Sequence, residues 1–346
     1  MSTAEGGPSV GELGEAAVLD AILPVLPGSD LALVGPGDDC AVLAAPDGRY
    51  CVTTDVLVEG RHFRTAWSTG HDIGRRAAAQ NLADVAAMGA RPVALVVALV
   101  LPSSTPLDWV TDLAAGLAAA CQPVGAGVVG GDLSAGDGLV IAVTAHGDLE
   151  GLAPVLRSGA RPGDLLVHVG TLGRSAAGLA LLEAGALADR GPVPDAARQA
   201  VEVFRAPHPP LAAGPALAQA GATAMMDVSD SLLRDAGRMA RASGVAIDLA
   251  EPTDPASGTA TDLAELVEVA RFLGAENPSA VARQWVLTGG EDHGMLAAVP
   301  PGALARLPPG CRVIGRVLAA GARGPAVTVE GAAPDHVGWD HFTART

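Results

Sequence analysis

Five short acidic motifs recur along the chain, each beside small or polar residues. They are Gly37-Asp38-Asp39, Thr53-Thr54-Asp55, Asn81-Leu82-Ala83-Asp84, Gly130-Gly131-Asp132 and Asp227-Val228-Ser229-Asp230. Carboxylate and hydroxyl oxygens are the ligands that Mg²⁺ prefers in proteins, and Mg²⁺ commonly binds phosphates as well. The chain has no lysine, because all 22 of its positive side chains are arginines. The motifs therefore predict a site in which magnesium, rather than lysine, holds phosphate groups.

The absence of lysine also excludes two common phosphate-binding arrangements. A P-loop of the form G-x-x-x-x-G-K-[ST] cannot occur, and neither can the strand lysine of protein kinases. No Ser-His-Asp or Cys-His arrangement is evident in the sequence either. Phosphoryl transfer depends mainly on positioning and charge neutralisation, which bound metal ions can supply. We therefore predict metal-assisted chemistry without a covalent nucleophile.

Three of the aspartates are predicted at the carboxyl ends of strands. Asp55 follows a β-rich run over 50–54, Asp132 follows a run over 124–129, and Asp227 follows a run over 222–226. We interpret the Gly130-Gly131-Asp132 motif as a turn before a further strand over 139–146. In α/β layers, ligands bind beyond the carboxyl ends of strands. This pattern predicts that the three carboxylates face a ligand.

Asn81 and Asp84 lie three residues apart in an alanine-rich segment that predicts a helix over 71–88, so they share one helix face. A buried carboxylate costs several kcal/mol unless it is paired or bound to a metal. Asp84 is therefore a candidate metal ligand, and an ion pair with Arg75 or Arg76 is the open alternative.

The rest of the chain alternates between helical and strand patterns. Further helices are predicted over 10–26, 106–121 (with Thr105 as its cap), 175–187, 195–205, 210–220, 231–242, 261–272 and 278–285. Further strands are predicted over 93–101, 164–169, 245–249, 295–299 and 312–317. The pattern indicates an α/β protein with a boundary near 148–152. We therefore predict an N-terminal domain over 1–149 and a C-terminal domain over 150–346.

The composition limits the function classes. The net charge of −16 disfavours nucleic acid and anionic lipid as partners. The longest apolar run, 93–101, is half as long as a membrane span requires. The acidic N-terminal segment does not resemble a signal peptide. The four cysteines, with no C-x-x-C pair, are expected to be reduced and mostly buried, so we predict a cytoplasmic protein.

Seven motifs, in order over residues 10–342, closely resemble those of the thiamine-monophosphate kinase family. Three of them, over 37–43, 53–60 and 81–90, contain the first three acidic motifs. The other four are the 157–164 segment with its Arg157, Asp227-Val228-Ser229-Asp230, Gly289-Gly290-Glu291-Asp292 and the terminal Gly338-Trp339-Asp340-His341-Phe342. The resemblance implies the two-domain α/β (α+β) fold of the aminoimidazole-ribonucleotide-synthetase-like superfamily. It implies an N-terminal domain that forms a β-barrel with its twin in a homodimer, and a C-terminal α/β domain that completes a cleft for ATP and several Mg²⁺ ions. The implied reaction transfers the γ-phosphoryl group of ATP to thiamine phosphate.

The resemblance also implies roles for individual residues. The implied metal ligands are Asp39, Thr53, Thr54, Asp55, Asp84, Asp132, Asp227 and Asp230. The implied ATP contacts are Asp39, Gly131, Asp132, Arg157 and Ser229. The implied contacts to thiamine phosphate are His62, Glu291 and Trp339. Arg157 is the expected phosphate clamp, because guanidinium pairs with phosphate through two hydrogen bonds, with a surface ion pair as the alternative. Asp38 could be either a metal ligand or a turn residue.

The sequence departs from the family pattern at several positions. Ser231 stands where relatives typically have glycine, Leu133-Ser134-Ala135 replaces a Thr-Thr-Arg segment, and Arg61 precedes His62. The segment Glu291-Asp292-His293-Gly294 replaces the typical Glu-Asp-Tyr-Glu. These changes lie mainly at the substrate end, so three alternatives stay open. They are another ATP-dependent enzyme of the superfamily, such as an aminoimidazole ribonucleotide synthetase or a hydrogenase-maturation protein, a catalytically impaired nucleotide-binding module, and an acidic Ca²⁺-binding protein, although no EF-hand loop is present.

Overall fold

The computed structural model describes residues 7–36, 40–189, 191–322, 324–336 and 338. The chain divides into two compact units, the first comprising Met1–Val85 with Ala90–Leu152 and the second comprising Ala86–Gly89 with Ala153–Thr346. Each unit contains sheets and helices of its own. The predicted two-domain α/β fold is therefore confirmed. The roles assigned to the predicted domains 1–149 and 150–346 stay predictions.

The first unit is built on a four-stranded sheet. Its elements in chain order are α1 (Val10–Leu13), α2 (Glu15–Ile22), β1 (Ala32–Val34), β2 (Val42–Leu43), β3 (Cys51–Val58), α3 (Gly70–Ala87), β4 (Arg91–Leu101), α4 (Leu107–Cys121), β5 (Gly127–Ala135) and β6 (Val140–Asp148). The sheet has the order β3-β6-β4-β5, in which only β4 and β5 are parallel, and β1 and β2 form a separate pair. Helix α4 connects the two parallel strands, as such a pair requires.

Strand β4 forms the centre of this sheet. Its apolar run is buried on both faces only up to Leu95, and from Val96 onward one face is buried while the other is half-buried. The uninterrupted hydrophobic pattern over 93–101 predicts a buried strand, which fits most of the run. Helix α4 packs close beside α3, because a Cβ atom on Gly74 would lie 2.1 Å from the carbonyl oxygen of Leu113. The alanine-rich and glycine-containing pattern of α3 therefore reflects close helix packing.

Two predicted strand ends are wrong. Asp55 lies inside β3, and Asp132 lies inside β5, so neither residue follows its strand. The glycines before Asp132 form a strand segment because β5 approaches β4 closely: a Cβ atom on Gly131 would lie 2.1 Å from the carbonyl oxygen of Val97. The register also shifts beside Val96, where β5 has one extra residue. Glycine here marks a bulge and a close backbone approach, which a sequence pattern does not distinguish from a turn.

The second unit is built on a six-stranded sheet with helices. Its elements are β7 (Leu165–Val169), α5 (Arg174–Glu183), α6 (Ala186–Asp189), α7 (Asp195–Arg205), α8 (Ala213–Ala220), β8 (Ala224–Val228), α9 (Leu232–Ser243), β9 (Val245–Leu249), α10 (Ala260–Phe272), α11 (Pro278–Thr288), β10 (Gly294–Val299), β11 (Arg312–Ala319) and β12 (Ala326–Val329). The strand order is β12-β9-β11-β7-β10-β8, and only β12 and β9 are parallel. Asp227 is the penultimate residue of β8, close to its predicted place at a strand end.

Some element boundaries differ from the prediction for local reasons. The helix predicted over 10–26 is divided at Gly14, whose φ of 77° is unsuited to a helix interior, and it ends earlier. Pro106, not Thr105, precedes α4, and no side chain caps that helix. All four cysteines are free, as predicted, but only Cys121 is buried. Among the described helices, none combines the length and hydropathy needed to cross a membrane.

Candidate functional site

Thr53, Asp55 and Asp84 form the candidate ligand group of the first unit. The hydroxyl of Thr53 donates a hydrogen bond to Oδ2 of Asp84 at 2.8 Å, which joins strand β3 to helix α3. Thr53 and Asp55 alternate with exposed residues along β3 and therefore point to the same face. The donors in this group are hydroxyl and carboxylate oxygens only. Such hard donors fit Mg²⁺ rather than zinc.

Thr54 lies on the opposite face of β3. Its hydroxyl donates to the carbonyl oxygen of Val143 at 3.0 Å and accepts a hydrogen bond from the hydroxyl of Thr144 at 3.2 Å. The side chain of Thr54 is therefore engaged within the sheet and is not brought together with those of Thr53 and Asp55. Its role as a metal ligand stays a prediction.

Gly131 and Asp132 line an apolar cavity of about 580 Å³ in the first unit. Its walls include apolar side chains of α2 and α4, such as Leu19 and Leu117. The hydroxyl of Ser134 donates to Oδ2 of Asp132 at 2.9 Å, which orients this exposed carboxylate. The cavity thus combines an apolar interior with one carboxylate at its wall, a composition typical of small-molecule sites.

His62 lies in the turn after β3. Its Nδ1 accepts a hydrogen bond from the backbone N–H of Val58 at 3.0 Å. Because Nδ1 is the acceptor, the neutral imidazole carries its proton on Nε2. The structure thus places His62 near the carboxyl end of β3 as a side chain with a defined tautomer.

In the second unit, the loop after β8 and the segment before β10 lie side by side. The backbone N–H of Glu291 donates to the carbonyl oxygen of Ser229 at 2.8 Å, and that of His293 donates to the carbonyl oxygen of Val228 at 3.0 Å. A Cβ atom on Gly290 would lie 2.5 Å from the carbonyl oxygen of Ser229, so this approach requires glycine. The structure therefore brings the predicted Asp227–Asp230 motif and Glu291 together.

Asp227 and His293 form a buried pair at the base of this arrangement. Nδ1 of His293 lies 3.1 Å from Oδ2 of Asp227, and its Nε2 lies 3.8 Å from Oε2 of Glu291. Burial disfavours the imidazolium, but Asp227 and Glu291 together outweigh it and raise the pKa of His293 to about 10. This chain thus has a cation beside a predicted metal ligand, at a position where the family typically has tyrosine.

Two buried groups near this site were missed by sequence reasoning. Asp292 accepts hydrogen bonds from the hydroxyl of Thr171 at 2.8 Å and the backbone N–H of Arg174 at 3.2 Å, which fastens its segment to the start of α5. Burial raises the pKa of Asp292 to about 6, although these hydrogen bonds oppose the shift. The signal available in the sequence was the acidic pair Glu291-Asp292, which does not show which carboxylate points inward.

His168 is the second missed group, and it explains the glycine at position 294. A Cβ atom on Gly294 would lie 2.3 Å from Nε2 of His168, which is fully buried on the neighbouring strand β7. Arg312 contacts Nδ1 of His168 at 3.1 Å. The imidazole thus occupies the space that a side chain at position 294 would need. Glycine at position 294, where the family typically has glutamate, is therefore explained by the packing of His168 against it.

Ser231 illustrates a departure with two opposing effects. Its φ is 147°, in the region that favours glycine, so a serine here strains the backbone. Its hydroxyl accepts a hydrogen bond from the backbone N–H of Arg234 at 3.2 Å and caps helix α9. The cap offsets part of the strain.

Arg157 lies in an exposed segment of the second unit. Within the part of the chain that the structure describes, its guanidinium makes no ion pair. The surface ion pair that was the alternative interpretation of Arg157 is thus not present among the described residues. The guanidinium is available for an anionic ligand.

Two predicted site residues, Asp39 and Trp339, lie outside the described residues, as does Asp38. Among the described side chains, no three from His, Cys, Asp and Glu converge as a group that could hold a metal ion. The family resemblance assigns Asp55, Asp84, Asp132 and Asp39 as carboxylate ligands of the first unit, and these roles stay predictions.

Comparison with known proteins gives matches in both units. Residues 37–149 match the family model "AIR synthase related protein, N-terminal domain", and residues 161–323 match the corresponding C-terminal domain. Together the two models span well over half of the chain, and both belong to one family.

The chain is similar to curated and solved proteins over nearly its whole length. It is 44% identical to the thiamine-monophosphate kinase of Mycobacterium tuberculosis over 345 residues, which are 99% of this chain and 95% of that protein. The solved structure of AaThiL complexed with AMPPCP and TMP matches with a TM-score of 0.73 and 31% identity, covering 96% of this chain and 98% of that one. The hydrogenase maturation protein HypE of E. coli matches with a TM-score of 0.66 at 21% identity, covering 91% and 93%, which shows the shared fold alone.

Proposed function

We propose that this chain, which belongs to the thiamine-monophosphate kinase family of the AIR synthase related proteins, phosphorylates thiamine phosphate with ATP to give thiamine diphosphate. The observation that carries this proposal is the 44% identity to the M. tuberculosis thiamine-monophosphate kinase across 99% of the chain. AaThiL was solved complexed with AMPPCP and TMP, which supports ATP and thiamine phosphate as the two substrates. The identity to HypE is far lower, so the main interpretation is favoured over the hydrogenase-maturation alternative.

We propose that Mg²⁺ ions are bound by Thr53, Asp55 and Asp84 in the first unit and by Asp227 and Asp230 in the second, together with Asp39, Thr54 and Asp132. When bound, these ions would neutralise the phosphate oxygens and align the γ-phosphoryl group for transfer. The contact between Thr53 and Asp84 supports the first group, since it fixes two oxygen donors across a strand and a helix. The number of ions stays a prediction of the family resemblance, which implies several.

The acceptor needs little activation. A phosphate monoester has a second pKa of about 6, so its oxygens are largely ionised at neutral pH. No general base is then required, which fits the lack of an evident Ser-His-Asp or Cys-His arrangement in the sequence. We propose Arg157, Gly131, Asp132 and Ser229 as ATP contacts and His62, Glu291 and Trp339 as thiamine phosphate contacts. The available guanidinium of Arg157 and the apolar cavity beside Gly131 support the nucleotide assignment.

We also propose a homodimer in which the N-terminal domains form a shared barrel. Support comes from strand β3, which lies at the edge of its sheet. On one of its faces, the side chains of Val52 and Val56 are 62% and 45% exposed. Unpaired strand edges with exposed valines favour pairing with another chain. A cytoplasmic location stays a prediction of the sequence.

The proposed function is tested by a coupled ADP-release assay with ATP and Mg²⁺, with thiamine phosphate and free thiamine compared as acceptors. We expect ADP release with thiamine phosphate and formation of thiamine diphosphate. ADP release with free thiamine but not with thiamine phosphate, or no ADP release with either acceptor, would contradict the proposal. Tight binding of Mg²⁺ and ATP without transfer would instead indicate an impaired nucleotide-binding module.

A further inference from the structure

Asp235, in the first turn of α9, has a fully buried side chain that binds the loop after β8 from within. Its Oδ2 accepts hydrogen bonds from three successive backbone N–H groups, those of Ser229 at 3.1 Å, Asp230 at 3.0 Å and Ser231 at 3.2 Å. Three amides directed at one oxygen leave the loop little freedom. The loop that carries the candidate ligands is therefore shaped by a carboxylate that lies beneath it.

The other oxygen of Asp235 is also engaged. Oδ1 accepts a hydrogen bond from Nη1 of Arg238 at 2.7 Å, and Nη2 of the same guanidinium contacts Oδ2 of Asp230 at 2.5 Å. Arg238 therefore bridges the buried carboxylate and a predicted metal ligand. Because the guanidinium is planar and rigid, it fixes both distance and orientation between the two carboxylates.

This arrangement identifies the kind of role that Asp235 can have. Its side chain has no exposed surface, so it cannot contact a nucleotide or a metal ion itself. It is not the helix cap either, because the hydroxyl of Ser231 fills that position. A buried carboxylate is costly unless its hydrogen bonds repay desolvation. The bonds that do so here all lead to the candidate site loop or to Arg238.

We propose that Asp235 and Arg238 form a clamp that holds the Ser229–Asp230 loop in the conformation that binds Mg²⁺ and ATP. Both are positioning residues, and the inference rests on the proposed function of that loop. Holding a loop in its bound conformation lowers the conformational entropy lost on binding. Without the clamp, the free protein would populate other loop conformations, and its affinity for the nucleotide would fall by the fraction that stays competent.

The substitution Asp235→Asn tests the clamp. An amide offers one oxygen and one donor NH₂ group, so it cannot accept from three backbone N–H groups on one side and from Arg238 on the other. We expect Asp235→Asn to weaken binding of Mg²⁺ with a non-hydrolysable ATP analogue at least tenfold, measured by titration calorimetry well below the melting temperature. This readout does not depend on turnover.

Asp248→Asn is the matched control. Asp248 is a buried carboxylate of the same unit, and it also accepts from a backbone N–H (Gly331, 2.7 Å) and from a guanidinium (Arg316, 2.9 Å). It lies on β9, and its hydrogen bonds lead to β11 and the end of β12. We expect Asp248→Asn to lower the melting temperature while leaving analogue affinity within about twofold of the wild type, because its partners are not site residues.

A second variant keeps the clamp testable should Asp235→Asn not fold. Arg238→Met keeps the three backbone hydrogen bonds but removes the bridge to Asp230, and we expect analogue affinity to fall by about threefold to tenfold. Wild-type affinity in Asp235→Asn, an equal loss in Asp248→Asn, or unchanged or tighter binding in Arg238→Met would each overturn the clamp. If the wild type itself does not bind the analogue, the proposed function fails instead.

Discussion

The first unit presents its candidate ligands on strand β3 and helix α3, whereas the second presents them on the loop after β8. In regular elements the backbone satisfies its own hydrogen bonds, so β3 and α3 keep their conformation without side-chain hydrogen bonds to the main chain. The loop lacks such a ladder, and buried carboxylates replace it: Asp235 binds it from below, and Asp292 fastens the adjacent segment. The comparison shows that the same kind of oxygen ligand can be carried by regular elements or by a loop that buried carboxylates hold in place.

We expect acid to destabilise mainly the second unit, because this unit contains the fully buried imidazole of His168. Burial, followed by the charge of Arg312, lowers the pKa of His168 to about 3. The folded state then binds fewer protons than the unfolded chain, so the free energy of unfolding falls as pH drops from about 6.5 towards 3. From 1.36 kcal/mol per pKa unit, this loss reaches about 3 kcal/mol at pH 4.

Chemical unfolding of His168→Gln and wild type between pH 7 and pH 4 measures this effect. The difference between the two proteins should shrink or reverse with acid, because glutamine does not titrate. The raised pKa of Asp292 acts in the opposite direction in both proteins and cancels in the comparison. Parallel pH curves would show that His168 is not the acid-sensitive group.

Asp227→Asn has the next largest expected effect, and it tests the buried ion pair of the second unit. It removes the negative partner of the buried His293 cation, so we expect a loss of about 2 kcal/mol in the free energy of unfolding, together with lower turnover. Adding His293→Tyr removes the stranded cation and should restore most of the stability but not the turnover. A single variant as stable as wild type would contradict the pairing.

Asp55→Asn is the counterpart in the first unit. It keeps the shape of the side chain but removes the charge of a proposed metal ligand, so we expect turnover to fall at least tenfold, or about 1.4 kcal/mol in activation free energy. Its free energy of unfolding should change by less than about 1 kcal/mol, because β3 is held by its backbone ladder. The ADP-release assay and chemical unfolding measure both. Unchanged turnover would remove Asp55 from the metal ligands.

Ser231→Gly should have the smallest effect. Glycine relieves the backbone strain at a φ of 147° but loses the cap of α9, and the two contributions nearly cancel. We expect the free energy of unfolding to change by less than about 1 kcal/mol, with turnover unchanged. A gain in turnover would instead show that serine at this position impairs the loop.

The outcome for Asp55 and Asp132 shows where sequence reasoning was limited. Both were predicted at strand ends because glycine, or a change in side-chain pattern, resembles a boundary. Instead, β3 continues through Val58, and the glycines of β5 fit against the backbone of β4. Close approach between two backbones depends on a strand elsewhere in the chain, so no local pattern could reveal it. Asp227, whose strand ends within one residue, was predicted nearly correctly.

The sequence by itself determined which kinds of oxygen ligand the chain offers to a metal ion, the absence of a lysine-based phosphate site, the α/β class and the family. These follow from composition, periodicity and ordered motifs, which are local properties. The tertiary structure decided which groups meet: Thr53 with Asp84 across 31 residues, and Asp292 with the start of α5 across 118. It also decided that His168 fills the space beside Gly294. Buried polar groups take partners wherever the fold provides them, and that choice is made by packing rather than by sequence distance.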